Sequence, residues 1–162
     1  MIVCGIDPGK SGAVVVVEDN KVVMKTKTPV VNVGRGTKKD YDPSEMMKLL
    51  RLYDYDLVVI EKQQSFPGQG VASTFQTGMG YGLWLGLIVS AQVPYEEVRP
   101  TKWIKEMVGG SSGKGKGAHC LAAKRLLPGI DLKATARSKK DHDGIADAAL
   151  LALYGHRILA RK

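Results

Sequence analysis

Two short apolar runs, each closed by a carboxylate, constrain this chain more than any other feature. Ile2-Val3-Cys4-Gly5-Ile6 leads into Asp7, and Leu57-Val58-Val59-Ile60 leads into Glu61. Apolar runs of this length, rich in Val and Ile, read as buried strands. An acid desolvated at the end of such a strand loses several kcal/mol of hydration unless it is paired. A shared divalent cation offsets that loss and leaves a reactive site behind. A second acidic pair, Asp143 and Asp147, is spaced by four, so both project from one helix face. Four acids of this kind are what two ions about 4 Å apart require for phosphodiester hydrolysis.

The residues between these anchors give the expected fold. Gly9-Lys10-Ser11-Gly12 is a turn, and Ala13 to Val17 is a β-branched run too stiff at χ1 to favour helix. Glu18-Asp19-Asn20 turns again, and Lys21 to Lys27 returns as a third strand, completing an antiparallel meander. Residues 29–41 are polar and aperiodic and read as a mobile loop. Asp42-Pro43-Ser44-Glu45 opens a helix, with Asp42 as N-cap, and Met46, Met47, Leu49, Leu50 and Leu52 carry it to about Tyr53. The strand ending at Glu61 follows this crossover, so it lies parallel to an earlier strand by a right-handed connection. Beside the first strand, it would set Asp7 and Glu61 together at the sheet edge where open α/β sheets build their sites.

A long helix is expected from about Ser73 to Ala91. Gly78, Gly82 and Gly86 recur on one of its faces at about 1 kcal/mol each, which implies close approach to the sheet or to another subunit. Tyr95 to Val98 is a fifth strand, and Arg99 to Trp103 opens a short helix. A glycine–lysine loop spans Gly109 to Gly117, a helix covers 118–127, and a last helix covers roughly 142–159. The expectation is one α/β domain over residues 1–162. Its five-stranded mixed sheet has three antiparallel strands, then two parallel ones, flanked by helices.

Charge narrows the function. The net charge is +8, yet the segment from Arg99 to Lys140 alone carries +9, with only Glu106 and Asp131 opposing eleven Lys and Arg. A basic surface beside an acidic pocket is the electrostatics of an enzyme that grips a phosphate backbone and cuts it with metal. No apolar run reaches the ~20 residues of a membrane span, and no secretory leader pattern opens the chain. Cys4 and Cys120 are too few for a disulfide framework or zinc cluster and read as free buried thiols in a reducing cytoplasm.

Competing readings are weaker. Gly110 to Gly117 has Gly115-Lys116 at P-loop spacing, but Gly117 stands where Ser or Thr is needed and no strand precedes it. Gly78-Met79-Gly80-Tyr81-Gly82 lies inside a helix and is no dinucleotide fingerprint. The Asp7 turn also occurs in two-lobed actin-like ATPases, for which 162 residues supply one lobe, so no nucleotide cofactor is expected. His142 and Asp143 have helix capping as an alternative role. Trp84 and Trp103 read as core or interface. Phe66, in the loop after Glu61, reads equally as a base-stacking residue or as one buried under its loop.

Taken in order, Gly5-Ile6-Asp7-Pro8-Gly9, Val59-Ile60-Glu61, Gly80-Tyr81-Gly82 with Gly86-Leu87, Val98 to Trp103, and Asp143 to Ala148 resemble the RuvC family of Holliday-junction resolvases, especially its short phage forms. The resemblance covers nearly the whole chain. It implies a ribonuclease H-like fold, a homodimer, and metal-dependent cleavage of four-way DNA junctions in a bacterial or phage-infected cytoplasm. Asp7, Glu61, Asp143 and Asp147 would be the catalytic acids holding two Mg²⁺ ions, with Mn²⁺ as a substitute. Phe66, Arg99, Lys102, Lys105, Lys114, Lys116, Arg137, Lys139 and Lys140 would contact DNA. Two departures stand out: the last acidic pair is spaced by four where cellular members use three, and the aromatic after the glutamate comes later. A ribonuclease H-like nuclease for other branched DNA or RNA–DNA hybrids, and a non-catalytic junction-binding module, are the alternatives.

Overall fold

The computed structural model describes residues 1–65, 67–109 and 117–161. Strands β1 (Ile2–Asp7), β2 (Ala13–Glu18) and β3 (Lys21–Lys27) form the meander. After β4 (Val30–Asn32), β5 (Lys39–Tyr41) and α1 (Pro43–Leu50), the chain enters β6 (Leu57–Glu61). It continues through α2 (Val71–Ala91), β7 (Tyr95–Val98), α3 (Pro100–Met107), α4 (Ala118–Leu126) and α5 (Asp143–Ala160). The main sheet has the order β3-β2-β1-β6-β7. β1 pairs antiparallel with β2 and parallel with β6, which pairs parallel with β7. The expected mixed sheet is thus present.

Period-two alternation divides the sheet's side chains between two cores. Val3, Val15, Val17, Leu57 and Val59 face α3, α4 and α5, while Cys4, Ile6, Val14, Val16, Val58 and Ile60 face α1 and α2. The central strands β1, β2 and β6 are therefore covered on both faces, which explains their unbroken apolar runs.

Helix α5 lies directly on β1. A Cβ on Gly5 would collide with the carbonyl oxygen of Ala148 and come within 2.5 Å of the Ala152 nitrogen. On the helix side, a Cβ on Gly155 would sit 2.6 Å from Val3 Cγ1. Glycine at these two positions permits the backbones to approach at a distance no other residue allows.

Three local expectations are corrected. Residues 29–41 contain a small antiparallel ladder, Val30 to Asn32 against Lys39 to Tyr41. It is anchored by buried Tyr41 and by Lys10, which bonds the Lys39 carbonyl at 3.0 Å and the Asp40 carboxylate at 3.2 Å. Helix α1 stops at Leu50, and Leu52 is exposed beyond it. Gly78, Gly82 and Gly86 are exposed and meet nothing within 4 Å among the described residues, so of the two expected contacts, sheet or second subunit, they do not serve the one with the sheet. The close approach on α2 is made at Gly80, against the Tyr41 ring.

Substituting Gly5 with Ala should force α5 off β1 and cost about 2–4 kcal/mol in urea unfolding. Gly36→Ala, in open space, should change stability by less than ~0.5 kcal/mol. Equal effects would contradict the packing described.

Candidate active site

The register Ile6 with Ile60 brings the two apolar runs to the same edge, so Asp7 and Glu61 end adjacent parallel strands. The start of α5 crosses this edge. Gly144 sits against the β1–β2 turn, its ideal Cβ position 2.8 Å from the Ser11 oxygen and 3.0 Å from Asp7 Oδ2. One turn of α5 then delivers Asp147 to the strand ends.

Electrostatics ties three of the acids together. Burial, then the charges of Asp147 and Glu61, push Asp7 up to about 7, opposed by the Gly9 N–H. Glu61 is also raised, first by burial and then by Asp147, while the Trp103 and Gln63 side chains oppose the shift. Asp147 thus disfavours the ionised form of both strand-end acids, and Glu61 that of Asp7, as expected of carboxylates gathered in a poorly solvated space.

Asp143 stands apart from this set. It is the exposed first residue of α5, and Cys120 Sγ lies 3.5 Å from its Oδ1. The helix is capped by His142, whose Nδ1 accepts from the Ile145 N–H at 3.3 Å, which favours the capping role for that histidine. Asp143 still acts electrostatically on His119, one of the groups raised beside the cluster.

Two residues at the site escaped sequence reasoning. Trp103, fully buried on α3, donates its Nε1–H to Glu61 Oε2 at 2.8 Å. His119 on α4 donates Nδ1–H to Asp147 Oδ1 at 2.6 Å, and this bond raises its pKa against the lowering effect of burial. Trp103 was visible as a core or interface aromatic closing the Val98 to Trp103 motif, and His119 carries no spacing signal to an aspartate twenty-eight residues away.

Among the expected DNA contacts, Arg99, Lys102 and Lys105 are exposed at or on α3, the helix of Trp103, and Arg137, Lys139 and Lys140 are exposed just before α5. The described part of the basic segment therefore lies in sequence between Glu61 and the acids of α5. Phe66, Lys114 and Lys116 lie outside the described residues.

The acids offer only oxygen donors, the set suited to a hard divalent cation. Among the described residues, no three His, Cys, Asp or Glu side chains already converge on one ion-sized point. Asp7, Glu61 and Asp147 would be the residues to hold such an ion, whose charge would offset the repulsion among them.

Similar architecture is found in known structures. Thermus thermophilus RuvC in complex with a Holliday junction substrate matches with a TM-score of 0.63 at 19% identity, over 99% of this chain and 95% of that one. A second Thermus thermophilus RuvC structure gives 0.59 at 22%, over 99% and 96%. This chain has the RuvC fold. The yeast mitochondrial Holliday junction resolvase Ydc2 matches with 0.51 at 19%, over 98% of this chain and 82% of that one. No family model and no curated protein matches the sequence. The RuvC fold here is the expected ribonuclease H-like α/β arrangement of five mixed strands with flanking helices.

Asp7 lowers apo-protein stability as pH rises. Unfolded, it ionises near 3.8 and, folded, near 7, so the penalty grows between those values and is complete above them. In EDTA at pH 8, Asp7→Asn should therefore be more stable than wild type by about 2–4 kcal/mol. That difference should vanish by about pH 4 in urea titrations; a difference independent of pH would contradict the coupling.

Proposed function

We propose that this chain is a metal-dependent endonuclease that resolves four-way DNA junctions by paired symmetric nicks. The observation that carries the reading is the coupled cluster of Asp7, Glu61 and Asp147 at the strand ends of a RuvC fold, with the basic segment 99–140 between Glu61 and Asp147 in sequence. Asp7, Glu61 and Asp147, joined by Asp143 at the rim, would hold the ions. When bound, two Mg²⁺ or Mn²⁺ ions would supply an activated water and charge neutralisation for phosphodiester hydrolysis, leaving 5′-phosphate and 3′-hydroxyl ends.

The protein's own contribution is grip and placement. Arg99, Lys102, Lys105, Arg137, Lys139 and Lys140 would hold backbone phosphates, with Lys114 and Lys116 from the intervening segment. Phe66 follows Glu61 closely enough in sequence to reach an unpaired base at the branch. Residues 1–162 act in this reading as one nuclease domain.

Paired nicks require two sites, and α2 offers the surface for a second copy. Its twenty-one residues include no charged side chain. Val71, Phe75 and Val89 are 87%, 66% and 58% exposed. At 100° per residue they share one face with Gly78, Gly82 and Gly86. An uncharged, glycine-lined stripe suits close, self-complementary pairing about a two-fold axis. Because a Cβ on Gly82 meets nothing within 4 Å among the described residues, Gly82→Leu should leave the protomer folded and split the dimer in sedimentation analysis. A wild-type monomer, or a dimer unaffected by Gly82→Leu, would contradict this interface.

The enzymatic reading is tested with labelled substrates in Mg²⁺: a mobile four-way junction, a fork, linear duplex and an RNA–DNA hybrid. Paired nicks in the junction alone are expected, reduced at least ~10²-fold in Asp7→Asn and abolished in EDTA. Broad cutting of branched DNA or hybrid would instead favour a less selective ribonuclease H-like nuclease. Tight junction binding without cutting would mark a binding module and overturn the catalytic reading.

A further inference from the structure

Trp103 and His119 connect two of the acids to each other, and this inference rests on the metal-dependent reading above. The bond from Trp103 Nε1 engages Glu61 Oε2, while Gln63 Nε2 donates to Glu61 Oε1 at 2.9 Å. The bond from His119 Nδ1 engages Asp147 Oδ1. Between them, the indole and imidazole meet edge to face, with centroids 5.4 Å apart and planes at 69°. The path Glu61–Trp103–His119–Asp147 is thus continuous, and its two middle members come from successive helices, α3 and α4.

The chemistry of the bracket matters. An indole can donate a hydrogen bond but cannot neutralise a carboxylate, unlike Lys or Arg. It fixes Glu61 without cancelling the charge that attracts a cation. Trp103 is fully enclosed, and its ring packs at a steep angle against the His119 ring that bonds Asp147. Partners of this kind orient ligand atoms and govern affinity without touching the ion.

We propose that Trp103 and His119 are positioning residues, an indole–imidazole bracket that holds Glu61 and Asp147 at the spacing from which they take up a divalent cation. Sequence reading had assigned Trp103 to core or interface, and His119 to nothing.

The test is Mn²⁺ titration of the metal-free, full-length protein, followed by electron paramagnetic resonance, with unfolding in EDTA as the check on folding. His119→Ala should weaken Mn²⁺ binding by roughly 10–100-fold. His119→Asn, whose side-chain N–H can replace Nδ1–H, should recover most of that loss. Trp103→Phe, which keeps the ring and removes the donor, should also weaken binding. Junction cleavage by His119→Ala should approach the wild-type kcat once Mn²⁺ is saturating, because the defect lies in ion uptake. Unchanged Mn²⁺ affinity in folded His119→Ala, or equal losses in the Ala and Asn variants, would overturn the bracket. If His119→Ala does not fold, unchanged affinity in Trp103→Phe would overturn it equally. Failure of the wild-type protein to bind Mn²⁺ at all would overturn the metal-dependent reading itself, a separate outcome.

Discussion

The site depends on how closely α5 can lie against β1. Gly5 and Gly155 remove the side chains that would hold helix and strand apart, and Gly144 lets the first turn of α5 rest on the β1–β2 turn. That separation sets Asp147 against Asp7 and Glu61. The cost is electrostatic: three acids in a poorly hydrated space, one of them pushed up to about 7. A strand-end acid cluster that destabilises its own fold without a counter-ion is the exchange of stability for activity that the proposed function would require.

The sheet was legible because its signals are local. The apolar runs of β1 and β6 are continuous since both faces of each strand are covered, and an acid at the end of each is conspicuous. The Val-rich β2 run and the turns around it specify a meander. The α1 crossover before β6 leaves parallel pairing with β1 as the simple solution, and that pairing brings Asp7 and Glu61 together. Asp147 was legible for a related reason, being one acid in an apolar helix surface.

What was not legible depends on tertiary contact. The β4–β5 ladder is only three residues a strand, held by Tyr41 and Lys10 instead of by its own pattern. Helical spacing identified the glycine face of α2 but not its direction. Only packing shows that Gly80 meets Tyr41 while Gly78, Gly82 and Gly86 face outward. The roles of Trp103 and His119 emerge from the convergence of α3 and α4 on the strand ends. Asp143 illustrates the opposite limit: its spacing from Asp147 suggests an equal partner, yet it sits exposed at the helix start.

Anomalous scattering from crystals grown with Mn²⁺ would test whether the strand-end acids share divalent ions. Two Mn²⁺ peaks among Asp7, Glu61 and Asp147, with Asp143 at the outer ion, are the predicted result. Anomalous density confined to other parts of the surface, with Asp7, Glu61 and Asp147 unliganded, would contradict it.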